Sequence, residues 1–284
     1  MFAGTALHPE ESMRAFSRDP IVFFALAVLS TPAAVAAQDP FEIQVYEYEL
    51  VPIGIWNLET HINHTARASL GYNKGQSHVT FELTRGISQH FELAGYLLTS
   101  YRAGREDIVG WHIRPRFALP EDWFPVKVSL STEIGFPTNK NYEDADVTLE
   151  LRPIFEKTFG KVQVDVNPVF GRAWGGAEGG AWDFEPDARV GYPVTPVVDL
   201  SLEYYAAMNG IKDPNKVHQI FPNADIQLRD NLVWNIGVGF GTTNVGNQLV
   251  YKMRLGWMFG GPVGAGPAGL RARAGSGVPI RALR

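Results

Sequence analysis

QLVYKMRLGWMFGG (residues 248–261) alternates along its length. Leu249, Tyr251, Met253, Leu255, Trp257 and Phe259 are apolar or aromatic, and Val250, Lys252, Arg254, Gly256 and Met258 stand between them. A period of two sends successive side chains to opposite faces of a strand. One face therefore holds six large apolar groups, while the other holds two cations and a glycine. The pattern ends on Trp-x-Phe and runs into glycine-rich sequence.

The same alternation recurs upstream. Residues 77–84 set Val79, Phe81 and Leu83 against His78, Thr80 and Glu82. Residues 108–119 set Val109, Trp111, Ile113 and Phe117 against His112, Arg114 and Arg116. Residues 124–136 set Val126, Val128, Leu130 and Ile134 against Lys127, Ser129, Ser131 and Glu133. Residues 197–208 set Val198, Leu200, Leu202 and Tyr204 against Asp199, Ser201, Glu203 and Tyr205. The count is about twelve such strands, within a range of 10 to 14, and it starts near residue 55. Connections expected to be tight fall at 85–89, 120–123, 158–160, 193–196 and 229–230. Looser ones, rich in glycine and polar residues, fall at 71–76, 103–107, 138–144, 174–180, 209–215 and 243–246. Short turns at one end and longer loops at the other describe an up-and-down meander.

A soluble sandwich also alternates, so further features have to decide. The apolar faces are free of Asp, Glu, Lys and Arg through their middles. A cation on the lipid face near the midplane costs about 2–4 kcal/mol, so this sorting is what a bilayer demands. Aromatic residues cluster toward strand ends, as in the girdles at membrane interfaces. An even strand number places both ends of the barrel on the short-turn side. The expected fold is all-β, an antiparallel up-and-down transmembrane β-barrel over residues 53–260.

The first 37 residues fit a secretory signal peptide. An apolar core runs from Ile21 to Leu29, Pro32 breaks it, and Val35-Ala36-Ala37 offers a cleavage site. The core is too short for a spanning helix. Arg14 and Arg18 supply a positive start, so translation is expected to begin at Met13. Export by the general secretory route and residence in the bacterial outer membrane follow as expectations. Residues 38–52 precede the barrel and are open between a periplasmic stub, an added edge strand and a small plug whose acids could meet Arg114 and Arg116. Residues 261–284, rich in Gly, Ala, Pro and Arg, have no period and read as a disordered tail.

With 284 residues, 45% of them hydrophobic, a net charge of −5 and no cysteine, the chain has room for one large β domain or two average ones. Nothing suits it to nucleic acid. It can form neither disulfides nor thiolate metal sites.

The inward faces supply the candidate site. The expected pore-lining residues are Glu59, Glu82, Glu92, Arg114, Arg116, Lys127, Glu133, Glu150, Arg152, Asp165, Glu185, Arg189, Glu203, Asp225, Lys252 and Arg254. Arg114, Arg116, Lys127 and Arg152 suggest a basic wall; Asp183, Glu185, Asp187, Asp199 and Glu203 suggest an acidic one. The alternative is a salt-bridged interior that holds the barrel together. Gly237, Gly239 and Gly241 point to open space or to close approach by a plug. Arginine at 203 is expected to be tolerated and arginine at 202 is not.

No catalytic residue, metal or cofactor is expected. There is no His-x-Ser-Asn-Gly, no helix follows Gly237-Val-Gly239-Phe-Gly241, and His61 and His64 point to opposite faces. Tyr251, Trp257 and Phe259 resemble the C-terminal signal read by the barrel assembly machinery, although Arg254 stands where that signal has a glycine. Lipid, that machinery and an unidentified small solute are the expected partners, and self-association into a homo-oligomer stays open.

LTRGISQHFELAGYL (83–97), RVGYPVTPVVDLSLEYY (189–205) and DNLVWNIGVGFGTT (230–243) resemble, in hairpin style, the outer-membrane barrels of the MetA-pathway-of-phenol-degradation family. The resemblance spans about 41–259 and carries over no functional residue. It implies transport: passive passage of small, aromatic solutes through a narrow charged lumen. The competing expectation is a closed structural or surface-interaction barrel.

Overall fold

The structure is a computed structural model describing residues 39–69, 74–177, 179–180, 182–208, 217–244 and 246–261. The expected signal peptide, the 209–215 loop and nearly all of the tail lie outside the described residues. The strands are β1 (Ile55–Ala68), β2 (Gln76–Ser88), β3 (Phe91–Arg102), β4 (Arg105–Ala118), β5 (Lys127–Pro137), β6 (Val147–Phe159), β7 (Val162–Trp174), β8 (Asp183–Thr195), β9 (Val198–Ala207), β10 (Val217–Arg229), β11 (Leu232–Gly241) and β12 (Asn247–Gly260). Each pairs antiparallel with its chain neighbours, and β12 pairs with β1 to close a twelve-stranded barrel. There is no helix among the described residues.

Residues 248–261 now have their place. They are the closing strand, paired on one side with β11 and on the other with β1, where Trp257 lies opposite Leu58 and Phe259 opposite Trp56. Closure leaves no unpaired ladder edge, which is what a membrane-depth sheet requires. Gly260 and Gly261 then carry the chain away with φ of +80° and +107°.

The two faces sort as their chemistry dictates. Leu202 is 52% exposed and Leu200 48%, whereas their neighbours Asp199, Ser201 and Glu203 are buried. Phe81, Leu97, Trp111, Phe117, Leu130 and Phe240 are likewise exposed at the outer face. Large apolar groups facing outward on every strand, with charge inside, is the reverse of a water-soluble core and the composition of a lipid-facing surface. Outer aromatics pair across strands: Trp111 stacks on Phe136 at 4.1 Å and Phe91 on Phe117 at 4.6 Å.

Two connections differ from expectation. The expected loose connection at 103–107 is a two-residue turn, because Ala103 (φ 51°) and Gly104 (φ 82°) both take the positive φ of a tight hairpin. The expected tight connection at 120–123 is longer, running over residues 119–126. There the Trp123 N–H donates to Pro120 O, and the Leu119 N–H reaches Val128 O, so the ladder resumes only at β5.

Candidate functional site

Residues 41–52 run through the interior of the barrel. The segment joins no ladder, and its first bridge to the wall is that of Ile53 to Gly86. An extended backbone in a closed space must still satisfy its N–H and C=O groups. The wall's side chains do this. Asn167 of β7 accepts from the Tyr46 N–H at 2.6 Å and donates to Tyr46 O at 3.0 Å. Glu156 of β6 accepts from the Tyr48 N–H at 2.9 Å, and Glu92 of β3 from the Val51 N–H at 2.6 Å. Arg152 donates to Gln44 O at 2.9 Å, Lys252 to Ile43 O at 3.2 Å, and Arg116 to the carbonyls of Glu47 and Glu49. Hydrogen bonds with a charged partner contribute about 1.5–3 kcal/mol each.

The segment spans the barrel from one end to the other. Pro40 O accepts from Asn63, toward the long-loop end of β1, and Phe41 meets the His78 ring edge-on at 4.4 Å. At the short-turn end the carbonyls of Val51 and Pro52 lie where a Cβ on Gly86 would sit, so only glycine admits them. Gly54, at φ +79°, then reverses the chain into β1.

Apolar contact holds the middle. Ile43 and Val45 pack with Tyr205, Phe221 and Val250 on β9, β10 and β12; Tyr48 and Leu50 pack with Ala118. The inward glycines of β11 find their reason here. A Cβ on Gly239 would overlap the Phe221 ring, and one on Gly237 the Asn223 side chain. The missing side chain of Gly239 lets Phe221 turn inward against Ile43 and Val45. Gly239→Val is expected to displace that ring and cost about 1–3 kcal/mol by overpacking. The measurement is the urea midpoint of the heat-modifiable folded band.

Of the residues expected to line a pore, Glu82, Glu92, Arg114, Arg116, Glu133, Arg152, Asp165, Arg189, Glu203, Asp225 and Lys252 are buried inside the barrel. Glu59, Lys127, Glu150, Glu185 and Arg254 are half-buried. Their charges are paired locally. Arg114 bridges Glu82 and, at 3.1 Å, Glu92; Arg152 holds Glu150 at 2.7 Å and Asp187 at 3.4 Å. Arg189 collects Asp165 at 3.2 Å, Glu47 at 3.3 Å and Asp225 at 3.6 Å. Arg254 holds Glu59 at 3.0 Å, Lys252 holds Glu203, and His112 holds Glu133. The expected separation into a basic and an acidic wall gives way to this mesh.

Two further expectations are corrected. The segment's carboxylates pair elsewhere than with Arg114 or Arg116: Glu47 with Arg189 and Glu49 with Lys127 at 3.4 Å, while Arg116 takes the backbone carbonyls of Glu47 and Glu49. Glu203 is 3% exposed and is the partner of Lys252, so arginine at 203 is now expected to disturb the barrel. Glu203→Arg would bury two cations against each other.

What pattern alone did not single out is Tyr46. Its ring lies under three guanidiniums: Arg152 at 4.6 Å from the centroid, Arg114 at 5.1 Å and Arg116 at 5.3 Å. Its hydroxyl donates to Glu42 at 2.6 Å and lies 3.0 Å from the Tyr96 hydroxyl. Beside the segment a cavity of about 150 Å³ remains, bordered by Tyr46, Glu47, Arg114, Arg116, Arg189 and Lys252 among others.

Outer surface, lumen and segment together make a bilayer-adapted barrel with an occupied bore. No protein-family model matches the chain, and no curated protein matches it. Among solved structures it is similar to the COG4313 outer membrane channel from Pseudomonas putida F1, with 13% identity, a TM-score of 0.55, and coverage of 77% of this chain and 100% of that one. It is also similar to the KdgM porin, with 10% identity, a TM-score of 0.48 and coverage of 72% and 99%. A third is the NanC porin, with 8% identity, a TM-score of 0.48 and coverage of 73% and 100%. At such identities the likeness speaks to the fold, and the likeness to the COG4313 channel gives this chain the architecture of an outer-membrane β-barrel.

Proposed function

We propose that this chain is an outer-membrane channel for passive passage of small solutes, aromatic ones in particular, through a narrow charged lumen lined by the residues named above. The observation that carries this reading is that a separate segment runs through the bore among the wall's paired charges, held there by side chains of the wall. Lys252, Arg116 and Arg152 give hydrogen bonds to the segment's carbonyls. Once the segment moves, those donors face a continuous polar path. Tyr46 supports the solute class: three guanidiniums around one phenol ring are a site for an aromatic acid that competes with it. Trp257 and Phe259, at the closing seam, suit a signal for the assembly machinery, after export by the secretory route. No enzymatic step is assigned.

The paired charges favour a second reading, a permanently closed structural barrel. Purified protein in planar bilayers separates the two. The channel reading expects discrete openings, and liposome swelling faster with benzoate than with a neutral sugar of similar size. A folded protein that passes neither current nor solute under any applied voltage refutes it.

A further inference from the structure

We propose that Glu42, His61 and Glu82 form a divalent-cation site that ties the luminal segment to β1 and β2. Glu42 belongs to the segment, His61 to β1 and Glu82 to β2. Each offers a ligand atom within 4.8 Å of the others, and all three are buried. The observation that points to a ligand is His61. It is 2% exposed, and its Nε2 has no hydrogen-bond partner. That nitrogen is aimed between Glu59 Oε2 and Glu82 Oε2, each at 3.6 Å.

The spacing is long for a hydrogen bond, which peaks near 2.9 Å. It matches the edge of a coordination sphere. Two ligands about 2.1 Å from a metal, at a tetrahedral angle, lie about 3.4 Å apart. The carboxylates are also arranged as ligands are. Glu82 Oε1 receives Thr84 Oγ1 at 2.6 Å and the Arg114 guanidinium, while Oε2 faces His61. Glu59 Oε1 receives Arg254 at 3.0 Å, while Oε2 faces His61. Glu42 Oε1 receives the Tyr46 hydroxyl at 2.6 Å. Each carboxylate thus has one oxygen fixed by an outer donor, the arrangement that orients ligands in metal sites.

Charge points the same way. Glu42, Glu59 and Glu82 converge on one imidazole, while Arg114 is shared with Glu92 and Arg254 with Asp225. A dication offsets that surplus. One imidazole nitrogen with two or three carboxylates suits zinc, manganese or cobalt(II); magnesium and calcium prefer oxygen alone.

The consequence for conduction rests on the channel reading: with Glu42 as a ligand, the ion latches the segment in the bore. Metal binding itself does not depend on that reading. The test uses the full chain in detergent, stripped with EDTA, titrated with Zn²⁺ by calorimetry and with Co²⁺ by visible absorption. The expected result is one ion per chain. Affinity falls by more than about tenfold in both His61→Gln and Glu42→Gln, since even outer-sphere changes cost that much. Glu42→Gln lies outside the strands and keeps the acceptor for Tyr46, so folding is preserved and is checked by heat-modifiable mobility. Absence of stoichiometric binding, or equal affinity in both variants and wild type, overturns the site and leaves His61 an imidazolium paired with Glu59 and Glu82. Binding lost in His61→Gln but kept in Glu42→Gln overturns the latch. A metal-binding protein that never conducts would sink the channel reading and leave the site standing.

Discussion

Deleting residues 41–50, with Pro40 joined to Val51, is expected to raise single-channel conductance several-fold and hold the barrel open. None of the twelve strands is touched, so the closed ladder from β1 to β12 survives. What leaves is the chain that fills the bore, together with Glu42, Glu47 and Glu49. Arg116, Arg152 and Lys252 lose carbonyl partners but gain water, so they carry no penalty as unpaired buried donors. Ile43, Val45 and Leu50 each take with them about 1.5–3 kcal/mol of apolar burial, so the urea midpoint falls while the folded band persists. The lumen also loses three negative charges, so the reversal potential moves toward anions. Tyr46→Ala, which breaks the arginine cage but keeps the segment, is expected to give flickering openings of intermediate size. A folded deletion variant that conducts no better than the full chain would show that the segment is not the obstruction.

Leu202→Arg is expected to destabilise the barrel by about 2–4 kcal/mol, because it puts a guanidinium into hydrocarbon near the middle of β9. Leu202→Phe should be nearly neutral, since fluid lipid fills any shape left beside it and no packed neighbour is displaced. One residue along, the order of tolerance inverts. Glu203→Leu is expected to cost about 3–5 kcal/mol, because Lys252 would stay buried without its carboxylate. Folding into vesicles, followed by the heat-modifiable gel shift across a urea series, reads all three. A benign Leu202→Arg beside a damaging Leu202→Phe would mean that this face packs against protein, and the membrane reading would fall.

The comparison between 202 and 203 shows where sequence reasoning succeeds and where it stops. Parity told the faces apart, because a strand has only two and lipid tolerates no charge on one of them. Parity did not tell what Glu203 does on its own face. That depends on Lys252, 49 residues away in sequence, reaching it across the lumen. The same limit bears on arginine at 203 and dissolved the basic and acidic walls. Arg114 and Arg116 find Glu92 on the adjacent β3, and Arg114 reaches past it to Glu82 on β2, because register and reach, not strand order, set which charges meet.

Turn length was misleading at residues 103–107, where a polar run conceals a hairpin closed by Ala103 and Gly104, and at 120–123, where Pro120 opens a longer connection. Gly237 and Gly239 advertised a close approach without naming the visitor. At Gly239 the visitor is Phe221, turned inward by its own parity and packed against Ile43 and Val45; at Gly237 it is the Asn223 side chain.

By itself the sequence determined the things that depend on period and transfer energy: about twelve strands, their up-and-down order, an apolar exterior, a polar interior, and QLVYKMRLGWMFGG as a two-faced strand at the end of the barrel. Those follow from the chain's own geometry and from the cost of a charge in lipid, and both act residue by residue. Only the tertiary structure decided where residues 41–52 go, that Tyr46 sits among three arginines, and that Glu42, His61 and Glu82 converge. A segment without a ladder has no period to betray its place. Its position is set by side chains from β3, β6, β7 and β12 that become neighbours only when the barrel closes around it.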